Sequence, residues 1–316
     1  MQPSPNIYIG IEIGGTKLQL IAGQPSHIIE TLRYDIDIAK GARGIQEQIA
    51  TGLQKLLSQY DIAAIGVGFG GPVEAQTGII QVSHQVAGWQ HFNLKQWLEQ
   101  LTRKPVAIDN DANVAALGEA THGSGKDYQK VFYMTIGSGI GGGMVVDGAI
   151  YHGHIPGEAE VGHINLDKKG NTLESKCSGW AVNKKIRNFI THNPASLLAQ
   201  LAKNHTAPEA TLLKPALEKE DEYAKEIIND IADDIAFALS HVVHLFHPEV
   251  IVMGGGISLL KEHLRMPVAT KLAQYIMKAF LPPPPVYIAA LGEQVVPIGA
   301  LELAKTYLLE VKNNIA

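Results

Sequence analysis

Asp109, Asn110 and Asp111 form a polar cluster whose residue types suit catalysis, and they lie between an apolar strand and an alanine-rich helix. Aspartate and asparagine are preferred caps of a helix N-terminus, so a structural role alone can explain the cluster. A carboxylate at a cleft can also take a proton from a hydroxyl group that attacks phosphorus. The two roles are compatible, because a helix N-terminus can hold a functional carboxylate firmly.

Three glycine-rich turns follow predicted strands, and such turns can present several backbone N–H groups to a phosphate without interference from Cβ atoms. They are Gly14-Gly15, the run from Gly137 to Gly143, and Gly254-Gly255-Gly256. One such turn would indicate only a hairpin. Three of them at strand ends predict a cradle for a nucleotide.

Two better-known phosphate motifs do not fit this sequence. Gly137-x-Gly139-x-x-Gly142 matches the dinucleotide fingerprint in letters, but a strand follows it where the motif requires a helix. The P-loop pattern G-x-x-x-x-G-K-[ST] does not occur, because Lys17 follows Thr16 and not the glycine that the pattern requires. The sequence therefore indicates neither a Rossmann site nor a P-loop.

The elements that position these residues repeat along the chain. Alternating apolar residues predict strands at 7–13, 17–21 and 28–34, then a helix over 45–57 and a strand over 63–69. The second half starts in the same way, with strands at 131–136, 144–146 and 149–151 and a glycine turn at 137–143. We therefore predict a duplicated α/β fold. Its N-terminal domain would be residues 1–121, completed by a C-terminal helix at 298–316, and its second domain residues 122–297.

The composition restricts the class of protein. Of 316 residues, 46% are hydrophobic, which supports a sizeable core. The 26 Lys+Arg against 31 Asp+Glu give a net charge of −5 without a basic cluster, so we expect no nucleic-acid partner. Cys177 is the single cysteine and fits a reducing compartment. Neither a signal-peptide pattern nor an apolar run of about 18 residues occurs, so we expect a cytoplasmic protein without membrane contact.

Four sequence motifs occur in the order typical of one family. They are Ile11-Glu12-Ile13-Gly14-Gly15-Thr16-Lys17, Asp109-Asn110-Asp111-Ala112-Asn113, Ile136-Gly137-Ser138-Gly139-Ile140-Gly141-Gly142 and Glu158-Ala159-Glu160-Val161-Gly162-His163. With them the chain resembles the ROK family of sugar kinases and sugar-responsive repressors over about residues 6–305. That family belongs to the actin/hexokinase/Hsp70 superfamily. The resemblance therefore implies two duplicated ribonuclease H-like (actin-like ATPase) domains with an interdomain cleft.

The resemblance also implies roles for individual residues. Asp111 matches the catalytic base that accepts the proton of the sugar 6-hydroxyl. The positions that match sugar-binding residues are Gly71, Asn110, Glu160, His163 and Glu174. The positions that match nucleotide contacts are Glu12, Gly14, Gly15, Thr16, Lys17, Gly137, Ser138 and Gly139 at the phosphates and Gly254, Gly255 and Gly256 at the adenosine. ATP would be accompanied by Mg²⁺, held mostly by nucleotide oxygens and water, and the family's common state implies a homodimer.

Two features depart from the family pattern. Many members carry a cysteine-rich zinc loop before the glutamate that matches Glu174, whereas residues 168–173 contain no cysteine. We therefore expect no structural zinc and assign no metal-binding residue, with His152, His154, His163 and Cys177 as the alternative ligand set. Glu12 stands where the family usually has aspartate, and its extra methylene could shift the geometry at the phosphates.

The leading hypothesis is an ATP-dependent hexose kinase that forms a sugar 6-phosphate, with glucose as the first expected substrate. Fructose, mannose, N-acetylglucosamine and N-acetylmannosamine stay open as substrates, and polyphosphate and ADP stay open as donors. A repressor is disfavoured, because the first strand begins near Asn6 without room for a helix-turn-helix ahead of it. The remaining alternative is a sugar-binding protein, catalytically lapsed or regulatory and without a DNA-binding domain, for which Glu12 is the only argument.

Overall fold

Strands and helices alternate along the chain in a computed structural model that describes residues 6–83, 85–155 and 157–313. The strands are β1 (Ile7–Ile13), β2 (Lys17–Gln24), β3 (His27–Asp35), β4 (Ile62–Phe69), β5 (Val73–Glu74), β6 (Ile79–Ile80), β7 (Val106–Asn110), β8 (Lys130–Ile136), β9 (Ile140–Val146), β10 (Ala149–Ile150), β11 (Val250–Gly254) and β12 (Val286–Ile288). The helices are α1 (Gly41–Gln59), α2 (Leu94–Thr102), α3 (Asp111–His122), α4 (Leu173–Cys177), α5 (Gly179–His192), α6 (Leu197–Ala202), α7 (Leu213–Glu218), α8 (Glu222–Phe246), α9 (Glu262–Tyr275) and α10 (Val295–Asn313).

Two sheets with corresponding strand orders confirm the predicted α/β class and its internal duplication. The first sheet has the order β3-β2-β1-β4-β7 and the second the order β10-β9-β8-β11-β12. In the first, β1 runs antiparallel to β2 and parallel to β4, and β4 runs parallel to β7. In the second, β8 runs parallel to β11, and β11 runs parallel to β12. Each half thus contributes a meander followed by two parallel strands.

The glycine run after β8 is shorter as a turn than predicted. The turn is confined to residues 137–139, and β9 begins at Ile140, so the remaining glycines lie inside the strand. A Cβ atom on Gly142 would lie 2.8 Å from the carbonyl oxygen of Ala159, and one on Gly143 would lie 2.9 Å from that of Ala112. These glycines therefore allow close packing of β9 and do not shape the turn.

The chain divides into two compact units. Unit 1 comprises residues 1–129, 143–158 and 290–316, and unit 2 comprises residues 130–142 and 159–289. The predicted domains did not place residues 143–158 with the N-terminal part. Their place in unit 1 follows from packing, because Gly143 lies against the start of α3, where a side chain would not fit.

Unit 1 holds its sheet between two apolar layers. On one face the buried residues of β1, β2, β4 and β7 pack against α1 and α2 around the fully buried Trp89. On the other face α10 packs against β1, β4 and α3. Its approach is close, since a Cβ atom on Gly66 would lie 1.9 Å from the carbonyl oxygen of Ala300 and one on Gly299 would lie 1.9 Å from that of Val114.

Unit 2 is organised around α8. Asp221 caps this helix by accepting a hydrogen bond from the N–H of Ala224, and the residue after it, His247, has the left-handed conformation typical of a helix end. The buried residues of α8 include Ile227, Ile231, Ile235, Leu239 and Val242, which lie three or four positions apart and form one apolar face. In the described part of the chain, no helix combines the length and apolar character that crossing a membrane requires.

Candidate active site

Glu12 lies at the end of β1, where the hairpin to β2 places it opposite Gln19. Its carboxylate oxygen Oε2 accepts a hydrogen bond from Nε2 of Gln19 at 2.8 Å and lies 3.1 Å from Nζ of Lys17. Both members of the ion pair are largely buried, with side-chain exposures of 15% for Glu12 and 21% for Lys17. Glu12 therefore fixes the direction of the Lys17 ammonium group beside the glycine turn.

The turn of this hairpin contains Gly14, Gly15 and Thr16. The N–H of Gly14 donates to the carbonyl oxygen of Lys17 at 3.0 Å, which closes the turn. A Cβ atom on Gly15 would overlap the side-chain amide of Gln85. Glycine is therefore required here unless Gln85 moves, and the turn leaves its backbone close to a polar side chain.

Asp111 lies close to this glycine turn within unit 1. A Cβ atom built on Gly70, just after β4, would lie 3.4 Å from Oδ2 of Asp111 and 3.6 Å from Cα of Gly14. The N–H of Gly70 also donates to the carbonyl oxygen of Ile13 at 2.8 Å. The ends of β1, β4 and β7 thus bring the carboxylate of Asp111 and the predicted phosphate turn to one place.

Asn110 caps α3, which confirms the structural role that its sequence position predicts. Its Oδ1 accepts from the N–H groups of Ala112 at 2.9 Å and Asn113 at 3.4 Å. Its Nδ2 donates to the carbonyl oxygen of Gly71 at 3.1 Å. The side chain of Asn110 is therefore fixed at both ends, and Asp111 follows as the first residue of the helix.

Asp109 is buried behind these two residues, with 3% of its surface exposed. Its Oδ1 accepts from the N–H of Asn110 at 2.7 Å and from Nδ2 of Asn113 at 3.0 Å. Its Oδ2 lies 2.7 Å from Nε2 of His152. The hydrogen bond to Asp109 raises the pKa of His152, while the partial burial of the imidazole acts in the opposite direction.

The predicted sugar and phosphate residues of unit 2 also lie together. Oε2 of Glu174, on α4, accepts the N–H of Ile140 at 2.7 Å, and the N–H of Gly179 donates to the carbonyl oxygen of Gly137 at 2.7 Å. A Cβ atom on Gly139 would lie 2.5 Å from the same oxygen of Glu174. The turn of residues 137–139 is thus held by the α4–α5 junction.

Glu160 and His163 lie at the two ends of a short helical turn, and both are exposed. The N–H of His163 donates to the carbonyl oxygen of Glu160 at 3.0 Å. Within this turn, a Cβ atom on Gly162 would lie 2.2 Å from the carbonyl oxygen of Ile140. The turn therefore packs on the first residue of β9, the residue whose N–H bonds to Glu174.

The third glycine turn follows β11. Gly255 has a φ of +82°, and a Cβ atom there would lie 2.6 Å from the backbone of Ile136, the last residue of β8. Gly256 faces open space, since no heavy atom lies within 4 Å of its Cβ position. The predicted adenosine contact is thus adjacent to the chain that enters the turn of residues 137–139.

Cys177 does not have the surroundings of a metal ligand. Its thiol is buried, and its Sγ lies 3.9 Å from the carbonyl oxygen of Ile231 and 3.9 Å from Oδ2 of Asp234. Burial, with the charge of Asp234, raises the pKa of the Cys177 thiol far above its ordinary value. A thiolate, the form that binds metals, is therefore strongly disfavoured here.

Sequence reasoning missed the contact of His152 with Asp109 and the place of Glu158 beside them. Asp109, His152 and Glu158 have potential ligand atoms within 4.8 Å of one another, so these three could hold a cation. Nδ2 of Asn113 donates to both carboxylates. The only sequence pattern that includes His152 is its His-x-His spacing with His154, and that pattern indicates a zinc ligand, whereas the structure shows a contact with the buried Asp109.

Comparisons with known proteins identify the family to which the chain is similar. The model of the ROK family matches residues 8–307. A glucokinase from Halalkalibacterium halodurans is 31% identical over 313 residues, which cover 94% of each chain. A glucokinase from Thermotoga maritima is 28% identical over 306 residues, covering 94% of this chain and 96% of the relative. The crystal structure of a ROK family glucokinase from Streptomyces griseus with glucose and AMPPNP superposes with a TM-score of 0.80 at 27% identity, covering 95% of this chain and 100% of that one.

Proposed function

We propose, from the premise that the chain belongs to the ROK family, that it transfers the γ-phosphoryl group of ATP to the 6-hydroxyl of a hexose, with Asp111 as the base. The chain is an ATP-dependent sugar kinase with an actin-like ATPase fold. Glucose is the proposed substrate, because the relatives at 31% and 28% identity are glucokinases and the Streptomyces griseus structure contains glucose. The polar residues Asn110, Glu160, His163 and Glu174 suit the hydroxyl groups of such a ligand.

The observation that carries the proposal is the position of Asp111. Its carboxylate lies beside Gly70, next to the glycine turn at Gly14. A nucleophile near that carboxylate is therefore close to backbone groups that can hold phosphate oxygens. Phosphoryl transfer depends mainly on such positioning and on neutralisation of charge, so a carboxylate and a glycine turn on either side of Gly70 are components that it requires.

The proposed reaction uses the side chains as follows. Asp111 accepts the proton of the 6-hydroxyl as its oxygen forms a bond to phosphorus, while the bond between phosphorus and the leaving oxygen of ADP breaks. Asn110, held by the carbonyl oxygen of Gly71, orients a sugar hydroxyl. Lys17, held by Glu12, places positive charge at the turn of unit 1. Mg²⁺ bound to the nucleotide supplies further neutralisation of phosphate charge.

In unit 2, Glu160, His163 and Glu174 are the proposed sugar ligands, and Gly137, Ser138 and Gly139 the proposed phosphate contacts. Their support is that Glu174 accepts the N–H of Ile140 and lies 2.5 Å from the Cβ position of Gly139, while the carbonyl oxygen of Ile140 lies 2.2 Å from the Cβ position of Gly162. Gly254 to Gly256 are the proposed adenosine contacts. The proposal also includes a homodimer, which the resemblance to the family implies, and a cytoplasmic location, which the composition favours.

The test is a coupled assay of ADP release with Mg·ATP against glucose, fructose, mannose, N-acetylglucosamine and N-acetylmannosamine. We expect release that depends on glucose, with glucose 6-phosphate detected by its specific dehydrogenase. Parallel reactions replace ATP with polyphosphate or ADP. If no sugar stimulates release from any donor, the proposed kinase activity is refuted.

Glu12 favours one second candidate, a sugar-binding protein with lapsed catalysis. Its carboxylate is already engaged by Lys17 and Gln19, so it is less free to act at the phosphates than its charge alone implies. If no sugar stimulated ADP release but calorimetry still detected sugar binding, this candidate would be supported. Glu12→Asp would then be expected to restore turnover.

A further inference from the structure

His152 connects a loop to the strand–helix junction that carries Asn110 and Asp111. Two of the donors to Asp109, the N–H of Asn110 and Nδ2 of Asn113, come from that junction itself. His152 is the donor that comes from elsewhere, from the segment after β10. A buried carboxyl group is costly unless its oxygens have hydrogen-bond partners, and His152 supplies a partner for Oδ2 of Asp109.

The loop that carries His152 is itself held in place. Glu158 Oε2 accepts the N–H of Gly153, the residue after His152, at 3.0 Å. The other oxygen of Glu158 accepts from Nδ2 of Asn113, on the first turn of α3. The imidazole of His152 is therefore directed at Asp109 by two contacts of Glu158, although 47% of the His152 side chain is exposed.

Charge strengthens the contact. Asp109 raises the pKa of His152 by its hydrogen bond and by its charge, and Glu158 adds to the effect by its charge. A hydrogen bond between an imidazolium and a carboxylate is roughly twice as strong as one between neutral groups. Among the residues that the structure describes, Asp109 and Glu158 are the charged groups that lie against His152.

We propose that His152 is a positioning residue for phosphoryl transfer, which holds Asp109 and, through Asp109, the backbone of Asn110 and the first turn of α3. This inference rests on the proposed roles of Asn110 and Asp111. His152 contacts neither sugar nor nucleotide in this role. It fixes the direction in which the next two residues present their side chains.

The test compares His152→Ala, His152→Gln and the matched control His154→Ala in the full chain. His154 is an exposed histidine two positions away. We expect kcat/KM to fall roughly tenfold in His152→Ala, which is less than the 10²-fold that a 1 Å misplacement can cost. His152→Gln keeps a donor and should recover most of that loss, while His154→Ala should match the wild type.

The pH profile separates positioning by a charged histidine from a merely structural role. Because the pKa of His152 is raised, its charged form is present below the ordinary value of about 6.5 and is lost as the pH rises through the higher value of the folded protein. We expect kcat/KM of the wild type to fall a few-fold as the pH rises across that range. The loss should be absent in His152→Gln and shifted to lower pH in Glu158→Gln, which removes the second charge that faces the imidazole.

Kinetics of His152→Ala equal to those of His154→Ala would overturn the inference. The inference would also be overturned if His152→Ala and His152→Gln lost the same fraction of kcat/KM and both variants kept the pH profile of the wild type. If the wild type turns over no sugar, the proposed function fails, and the inference is then tested by calorimetry with the same sugars. Weaker sugar binding in His152→Ala than in His154→Ala would support it, whereas equal affinities, or no binding by the wild type, would refute it.

Discussion

Replacing Asp111 by asparagine is the change that best separates the proposed chemistry from the stability of the fold. Asparagine has nearly the same shape as aspartate, so it fits beside Gly70 without a new overlap. It cannot accept the proton of a hydroxyl group. The expected result is an enzyme that folds and binds sugar but transfers the phosphoryl group very slowly.

The structure limits the effect on stability. The capping side chain of α3 is Asn110, which accepts from two backbone N–H groups, and Asp111 is an acidic residue in the first turn. Loss of its charge therefore removes an interaction with the helix dipole, about 0.3–1 kcal/mol. We expect this loss to contribute about that amount to the fall in the free energy of unfolding of Asp111→Asn.

The effect on the reaction should be much larger. Proton transfer by a positioned side chain contributes typically about 10²–10⁴-fold to a rate. At about 1.36 kcal/mol for each factor of ten, this loss raises the activation barrier by roughly 3–5 kcal/mol. We expect the dissociation constant for glucose to stay within a few-fold of the wild type, because the ligands proposed for its other hydroxyls are unchanged.

The assay measures kcat by coupled ADP release, glucose affinity by calorimetry and unfolding by urea denaturation on the same preparations. Glu222→Gln is the matched control, since Glu222 is an exposed acidic residue in the first turn of α8. It should change kcat by less than the error of the assay. An Asp111→Asn enzyme that keeps more than a tenth of the wild-type kcat would refute the role of Asp111 as the base.

Three further predictions concern the structure around the site. Gly299→Ala should lower the free energy of unfolding by about 1–3 kcal/mol, because its Cβ would lie 1.9 Å from the carbonyl oxygen of Val114. Gly157→Ala is the control and should leave the free energy of unfolding unchanged, because no heavy atom lies within 4 Å of its Cβ position. Equal urea midpoints for the two variants would contradict the packing argument. Glu119→Gln should cost about 1–3 kcal/mol in the same assay, because the buried carboxylate accepts three backbone N–H groups, and an unchanged midpoint would argue against that role. The buried thiol of Cys177 should react with an aromatic disulfide reagent only in denaturant, and rapid reaction in native buffer would contradict its burial.

The sheets could be predicted from the sequence because their signals are local. Alternating apolar residues located the meander of β1 to β3, and the same pattern located β8. Helices α4 to α7 and α9 were missed. α4, α6 and α7 have only five or six residues each, and α9 contains Pro267. Such helices depend on tertiary packing, which no short window of sequence contains.

The candidate site shows the same division between local and distant signals. The cap formed by Asn110 was predictable, since the preference of asparagine for helix N-termini depends on neighbouring residues alone. The contact of Asp109 with His152 was not predictable, because these residues are 43 positions apart and neither carries a pattern that indicates the other. The catalytic and binding roles of the predicted site residues stay predictions until the variants are measured.

The close packing of α10 affects the order in which unit 1 can mature during synthesis. Strands β1 and β4 and helix α3 leave the ribosome early, yet α10, the helix that covers them, is translated long after them. At roughly 5–20 residues per second, the uncovered sheet waits on the order of ten seconds for its partner. The backbone around Gly66 and Gly118, on which α10 packs closely in the finished fold, is uncovered during this time. We therefore expect this nascent chain to depend on chaperones more than a domain with contiguous sequence would.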